Sequence, residues 1–316
     1  GLGYVVAFLI SLGGLAFNIG NIGGASMGLN IVFGIDTTTA AAISGILGIL
    51  LFASPKMGGV LDNTAKVLGT VMLALIGYVA FSTNPPVAEA VTHAIVPTHY
   101  AWLATITLIG GTVGGYITFS GGHRLIDAGI TGREHLKDVR RAAFMGMSVD
   151  AIVRILLFLA VLGVVSMGFT LDPKNPAGSA FLLGAGEIGH KLFVIVFFCA
   201  ALTSGVGAAY TSVSFLKTLF KVVERYEKLT IMAFIFVSTC SLIFIGKPAT
   251  LLIVAGSVNG LILPVTLAVM LLATRKTNIV GDYKHNPILF YTGWIVVLVT
   301  AYIGVTSLQG IAKLLG

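Results

Sequence analysis

The chain has 316 residues, of which 56% are hydrophobic and only 10% are charged, and its mean hydropathy is +1.00. Soluble domains carry roughly 25% charged residues, so this composition excludes a soluble globular protein and predicts an all-α, polytopic membrane protein. The net charge of +7 does not indicate a nucleic-acid partner, because membrane topology accounts for the placement of Lys and Arg described below.

Nine apolar segments are long enough to cross a bilayer, which requires about 20 residues. They are residues 3–33, 36–54, 60–82, 100–121, 142–168, 180–220, 229–246, 248–274 and 287–312. The sixth is too long for one simple span, so we expect residues 179–191 to form a helix or loop outside the membrane. The connection over residues 82–99 holds three prolines and no Lys or Arg, and we expect it outside as well.

Lys and Arg alternate between the connections. Those after the second, fourth, sixth and eighth segments hold Lys56, Lys66, Arg124, Arg133, Lys137, Arg140, Arg141, Lys217, Lys221, Arg225, Lys228, Arg275, Lys276 and Lys284. The other side holds Lys174, Lys191, Lys247 and Lys313. The positive-inside rule places the first set in the cytoplasm, so residue 1 is expected inside and the C-terminus outside.

The fourth segment is interrupted at its middle by glycines 110, 111, 114 and 115. Broken helical backbone at membrane depth is tolerated where it is buried in protein or lines a watery cavity. Many transporters build their substrate sites from such breaks, so the pattern favours a transporter. Small residues also let two helices pack closely, and that alternative stays open.

Charges within the apolar segments are few. Asp150 and Arg154 lie four residues apart in the fifth segment and are expected to pair on one helix face. Intramembrane charges are functional candidates, but mutual neutralisation favours a structural or gating pair. We find no paired catalytic carboxylates, His-rich metal motif or nucleophile motif, and therefore predict neither an enzyme nor a resident cofactor.

Several stretches resemble the Nramp family of divalent-metal transporters. Residues 17–35 resemble the third helix of that family. Residues 110–116, Gly-Gly-Thr-Val-Gly-Gly-Tyr, resemble its sixth helix, whose usual form is Gly-Ala-Thr-Val-Met-Pro-His. Residues 259–264, followed by 275–276 and 281–283, resemble the tenth helix and its exit loop. The resemblance covers the chain as helices three to eleven of an eleven-helix protein.

This resemblance implies a LeuT-type fold, in which two inverted five-helix repeats have their first helices broken at the substrate site. Residues 1–316 would form one transmembrane transporter domain, with 1–82 as the remainder of the first repeat, 100–274 as the second, and 287–316 as an extra C-terminal helix. The family's first helix supplies a metal-binding carboxylate and amide that nothing here replaces, so we expect this chain alone not to transport. We expect a prokaryotic cell membrane and no obligate protein partner.

Two departures from the family pattern concern its chemistry. The sixth-helix Met is a soft ligand that favours transition metals, and it is matched here by Gly114. Its loss predicts a wider, all-oxygen site that suits hydrated Mg²⁺. The resemblance implies that Gly111, Thr112, Gly114 and Tyr116 hold the ion directly or through water, unless Gly114 is only a packing glycine.

The second departure concerns protons. Two carboxylates of the family's third helix and a His of its sixth are matched by Asn18, Asn21 and Tyr116. Asparagine cannot exchange a proton near neutral pH, so the resemblance predicts an altered proton route without proton coupling. The two asparagines are alternatively plain interhelical hydrogen-bonders.

The sequence thus predicts a transporter of divalent cations, Mg²⁺ and also Mn²⁺, working by alternating access in a lipid bilayer. Two alternatives remain. One is a proton-coupled Mn²⁺/Fe²⁺ importer of the ordinary Nramp type. The other is a LeuT-type carrier of a small organic substrate. Such a site would need aromatic side chains near the break, where the sequence offers only Tyr116 and Phe119.

Overall fold

The computed structural model describes residues 2–173 and 175–315, and every regular element within them is a helix. The all-α prediction is therefore confirmed, while Gly1, Lys174 and Gly316, which belong to the predicted 1–316 domain, lie outside the described residues. The helices in chain order are α1 Leu2–Phe33, α2 Thr37–Ala53, α3 Pro55–Ser82, α4 Val87–Ile95, α5 Trp102–Val113, α6 Gly115–Asp127, α7 Leu136–Ser166, α8 Pro176–Leu219, α9 Lys221–Arg225, α10 Glu227–Ile245, α11 Pro248–Ala273, α12 Thr277–Val280 and α13 Pro287–Leu315.

Seven of these helical segments are long and apolar enough to cross a membrane by length and composition. They are Gly3–Phe33, Trp102–Ile126, Leu136–Ser166, Pro176–Leu219, Glu227–Ile245, Pro248–Ala273 and Pro287–Lys313. The pair Lys66–Ser82 and Val87–Ile95, bent by 102°, gives an eighth candidate. The 17-residue α2 is shorter, but at about 1.5 Å per residue it approaches the thickness of a bilayer core. Eight of the nine predicted segments therefore correspond to one helix each, and the fourth corresponds to α5 and α6 together.

The short helix α4 occupies part of the connection over residues 82–99, which the sequence described only as an outside loop. Val87, Val91 and Ile95 recur every fourth residue and are exposed, while Glu89 lies between them in the sequence. A helix with one apolar and one polar face is typical of a segment that lies along a membrane surface. The turn of 102° at the end of α3 gives α4 a direction suited to that position.

The N-terminus of α2 is fixed by a side-chain cap. The hydroxyl of Thr39 donates to Asp36 Oδ1 over 2.6 Å, and the Thr39 amide donates to Asp36 Oδ2 over 2.9 Å. The cap satisfies an N–H group that would otherwise lack a partner at the helix end.

The long helix α8 is interrupted near its beginning at Gly186, where φ is 66° and ψ is −170°. Glycine adopts this conformation readily because it has no Cβ. Across the interruption, the ring Nδ1 of His190 lies 2.8 Å from the Gly178 carbonyl oxygen. The interruption falls inside residues 179–191, the stretch that the sequence separates from the following membrane span.

The central helix is α1, which packs most extensively against α8 and α11. Glycines on α1 set its distance from α8. A Cβ at Gly28 would lie 2.9 Å from Cβ of Phe198, and one at Gly24 would lie 3.3 Å from Cβ of Ala201. The hydrophobic effect contributes little to helix association within lipid. Close packing through small residues therefore supplies much of the favourable free energy of association.

Candidate functional site

The predicted break in the fourth segment is present. Helix α5 ends at Val113, α6 begins at Gly115, and Gly114 between them has φ −53° and ψ 161°. These angles are open to most residue types, so the backbone conformation does not by itself require glycine there. The break frees carbonyl groups at the end of α5 and N–H groups at the start of α6.

One side of the broken helix, which we term the packed face, consists of Gly110, Gly114 and Gly115 and lies against α11. A Cβ at Gly110 would overlap the carbonyl oxygen of Gly256 and lie 2.8 Å from its carbonyl carbon. On α11, a Cβ at Gly256 would lie 2.8 Å from the Thr107 carbonyl oxygen. The two backbones are therefore in direct contact, which is the close packing through small residues that the sequence left as an alternative.

Gly114 also belongs to this contact. It is buried, and a Cβ there would lie 2.7 Å from Cβ of Asn259 on α11. The expectation that a glycine at position 114 widens the ion site is thus not met locally, because Asn259 fills the adjacent space. A side chain at position 114 would collide both with the Gly110 carbonyl of the same broken helix and with Asn259 of α11.

Asn259 stabilises the break, a role that was not predicted from the sequence. Its side chain is fully buried. Its Oδ1 accepts a hydrogen bond from the Tyr116 amide over 3.3 Å, and its Nδ2 donates to the carbonyl oxygens of Gly13 and Ala255, each over 3.0 Å. It thereby satisfies one freed N–H of α6 and joins α1, α6 and α11. A polar amide side chain within a strongly apolar segment was the sequence feature that could have identified Asn259 as a candidate.

The other side of α6 borders a cavity of about 740 Å³, which we term the central cavity. Its lining residues come from α1, α2, α6 and α8, and they are Phe17, Leu51, Tyr116, Ile117, Ser120, Gly121, Arg124, Ala200, Thr203, Ser204, Val206, Gly207, Ala208 and Thr211. Within this lining, Arg124 is the one charged side chain, and there is no carboxylate, Met or Cys. Small and polar residues of α8 between positions 203 and 211 therefore form part of the cavity wall.

Tyr116 closes the end of the cavity nearest the break. Its ring centroid lies 5.7 Å from that of Phe17, and its hydroxyl donates to the Ala208 carbonyl oxygen over 3.2 Å. Phe17, not Phe119, is the second aromatic side chain that lines the central cavity, because Phe119 lines a separate pocket together with Val6 and Ile10. The sequence could not identify Phe17, which lies far from Tyr116 along the chain.

The four residues predicted to hold an ion occupy different surroundings. Tyr116 lines the central cavity and Gly114 is packed against Asn259. Gly111 and Thr112 lie before the break and do not line that cavity. Thr112 donates its hydroxyl to the Leu108 carbonyl oxygen over 2.5 Å, whereas no atom would lie within 4 Å of a Cβ at Gly111. Open space is thus found at Gly111 and beyond Tyr116, but not at Gly114.

The two asparagines of α1 make interhelical hydrogen bonds. Asn18 is fully buried and its Nδ2 donates to Ser238 Oγ over 3.0 Å, while its Oδ1 has no protein partner among the described residues. Asn21 Nδ2 donates to Ser204 Oγ over 3.1 Å, beside the central cavity. The alternative that these residues are interhelical hydrogen-bonders accounts for both contacts.

Asp150 and Arg154 form the expected ion pair on α7. Nε of Arg154 lies 2.8 Å from Oδ2 of Asp150. Nη2 of Arg154 also lies 3.5 Å from the carbonyl oxygen of Gly111 at the end of α5. The structure therefore brings this pair next to one of the predicted ion-holding residues, which the sequence did not anticipate.

Across residues 2–173 and 175–315 there is no group of three or more His, Cys, Asp or Glu side chains arranged to hold a metal ion. The donors around the break are carbonyl, hydroxyl and amide oxygens. Such hard ligands suit Mg²⁺ and Ca²⁺ better than soft transition metals.

Comparisons with known proteins agree with this architecture. Residues 2–309 match the family model described as Nramp, natural resistance-associated macrophage protein-like. An uncharacterized membrane protein of Bacillus subtilis, YcsG, is 51% identical over 308 residues, covering 98% of this chain and 76% of the relative. An uncharacterized membrane protein of Haemophilus influenzae is 50% identical over 299 residues, covering 95% and 75%.

Solved structures with a similar fold include those of a manganese transporter from Eremococcus coleocola. A substituted form aligns with a TM-score of 0.67 at 14% identity, covering 98% of this chain and 72% of that one. A complex with an aromatic bis-isothiourea compound aligns with a TM-score of 0.65 at 16% identity, covering 99% and 72%. At these identities the likeness establishes the fold.

Proposed function

This chain belongs to the Nramp family, and from that membership we propose that it carries divalent metal cations by alternating access, with Mg²⁺ as the main substrate and Mn²⁺ as a second. The LeuT-type fold supports this mechanism, because its broken helices place freed backbone groups at the midplane of the membrane. The division into a first-repeat remainder at 1–82, a second repeat at 100–274 and an extra helix at 287–316 is part of this proposal.

The observation that supports Mg²⁺ as the main substrate is that the described residues around the break include no soft ligand. Gly114 stands where the family has a thioether, and the described lining of the central cavity contains neither Met nor Cys. A thioether is the kind of ligand that favours softer transition metals. Mg²⁺ keeps several of its waters when bound, so hydroxyls such as those of Thr203 and Ser204 would hold it through water.

The proposed lack of proton coupling rests on the side chains of α1 and α6. Asn18 and Asn21 are amides whose N–H groups donate to serines, and an amide does not titrate near neutral pH. Tyr116 replaces the family's His. Asp150 is linked to the break through Arg154, whose Nη2 lies 3.5 Å from the Gly111 carbonyl oxygen, and its carboxylate is already paired with that arginine.

The test is uptake by the full-length protein in proteoliposomes, with Mg²⁺ and Mn²⁺ as parallel substrates and a pH dye inside. We expect Mg²⁺ to enter without acidification. Entry of Mn²⁺ with acidification, and no entry of Mg²⁺, would contradict this proposal and indicate a proton-coupled importer of the ordinary Nramp type. Asn21→Asp, which restores a carboxylate beside the cavity, is expected to raise acidification per ion, whereas Asn30→Asp at the exposed end of α1 is not.

A second candidate is a carrier of a small organic substrate. The observation that favours it is the lining of the central cavity, which combines the Phe17–Tyr116 aromatic pair with Arg124 and no carboxylate. An Arg fork suits a planar anionic group such as a carboxylate. Thermal stabilisation of the full-length protein by propionate but not by propionamide, without any uptake of divalent ions, would favour this candidate over the first.

A further inference from the structure

The transport proposal above gives the ion pair on α7 no part in binding or moving the divalent ion. Asp150 and Arg154 lie near the middle of the fifth predicted segment, and their side chains are 45% and 39% exposed. Charged groups at this depth are costly unless they face protein or a water-filled space. The pair must therefore lie against some polar feature of the protein.

That polar feature is the end of α5. Nη2 of Arg154 lies 3.5 Å from the carbonyl oxygen of Gly111, although α7 itself packs mainly on α3 and α8. The Arg154 side chain therefore spans the gap from α7 to the broken helix. The space at this point is open, because no atom would lie within 4 Å of a Cβ at Gly111.

A cation at the end of α5 is electrostatically favoured. The last carbonyl groups of a helix lack N–H partners within the helix and carry the negative end of its dipole. Transporters with broken helices use such carbonyls to coordinate their ions. A guanidinium and a divalent ion cannot share one carbonyl oxygen, because their charges repel each other strongly at that distance.

We propose that Arg154 is a tethered cation that competes with the transported divalent ion for the Gly111 carbonyl, and that Asp150 is the counter-ion that draws Arg154 aside. The inference rests on the proposed function as a divalent-cation transporter. Removal of the Arg154 charge eliminates the competitor and leaves Asp150 to attract the ion. Removal of the Asp150 charge leaves the competitor without its counter-ion, so the two changes act on ion affinity in opposite directions.

The experiment measures apparent KM and maximal rate of Mg²⁺ and Mn²⁺ uptake by the full-length protein in proteoliposomes. Arg154→Gln is expected to lower the apparent KM and Asp150→Asn to raise it, each by about tenfold, a typical size for coupling between sites. Arg154→Lys keeps the charge and should remain close to wild type. Lys217→Gln removes one partner of the Lys217–Glu227 pair, away from the break, and should leave KM unchanged.

The opposite signs separate this role from a structural one. A pair that only holds α7 in place predicts that both substitutions impair uptake together, and that result would overturn the proposal, as would an unchanged KM in both. If Asp150→Asn does not fold, the comparison of Arg154→Gln with Arg154→Lys still tests the proposal. Only the neutral variant, Arg154→Gln, should lower KM. Wild-type protein that moves neither ion would refute the transport function itself, and this inference with it.

Discussion

The packed face of the broken helix and the central cavity begin within a few residues of each other, yet they are physically unlike. At the packed face, the backbone at Gly110 and Gly114 touches α11 and leaves no room even for a methyl group. At the cavity, Tyr116 and Gly121 border about 740 Å³ of space. Both regions are rich in glycine. Glycine content therefore marks the place of the break, while what lies opposite each glycine decides between packing and a site.

The largest loss of stability is expected from a substitution at the packed face. In Gly110→Ala the new methyl group would overlap the Gly256 backbone, which cannot move without displacing α11. We expect a loss of about 3 kcal/mol in the free energy of unfolding, the upper end for overpacking, or failure to fold. Thermal melting of the full-length protein in detergent measures the loss of stability, and size-exclusion chromatography shows whether the variant folds.

The matched control for that substitution is the neighbouring residue. Gly111→Ala places its methyl group in open space, so its melting temperature should stay near that of the wild type. Equal destabilisation by the two substitutions would show that the local helix conformation, and not contact with α11, accounts for the glycines.

A smaller effect is expected at the residue that joins the two regions. Asn259→Ala removes the acceptor for the Tyr116 amide and the donor to the Gly13 carbonyl oxygen. Leaving such buried groups without partners costs about 1–3 kcal/mol, which melting in detergent detects. Asn30→Ala, which removes an exposed hydrogen bond to the Ile35 carbonyl oxygen, should cost clearly less, and a similar loss in both variants would contradict this account.

The smallest effect on stability is expected in the central cavity, where transport should change instead. Gly121 lines the cavity and has no atom within 4 Å of its Cβ position. Gly121→Leu should therefore change stability by less than about 0.5 kcal/mol, while its side chain obstructs the cavity and slows uptake severalfold.

Gly69 is the appropriate comparison for Gly121, since it also has open space around its Cβ position but does not line the cavity. Gly69→Leu should leave both melting and uptake unchanged. Normal uptake by Gly121→Leu would mean that ions do not pass through the central cavity.

Much of the fold was predictable because the bilayer imposes simple rules. Long apolar segments must be helical there, and all nine predicted segments are, the fourth as the broken pair α5 and α6. The break was predictable from its four clustered glycines. The helix α4 was not, because the proline-rich connection around it was interpreted as a loop and its four-residue periodicity was given no weight.

The site was predictable only in part, because its decisive contacts join distant parts of the chain. Asn259 meets Gly13 across 246 positions, and Phe17 packs on Tyr116 from another helix. No local pattern shows which glycine will face α11. The Asp150–Arg154 pair was predictable, since it lies within one helix, but its contact with Gly111 depends on how α7 is placed.

The Asp150–Arg154 pair also bears on how the protein is made. A single Asp or Arg at the centre of a membrane helix costs about 2.5–3.5 kcal/mol when the translocon inserts it. Here both charges lie one turn apart on α7, so their ion pair can form as soon as that helix is wound, before any neighbouring helix is available. The helix then enters the lipid with its two charges already compensated, and the contact with Gly111 is left for a later stage, when the inserted helices assemble.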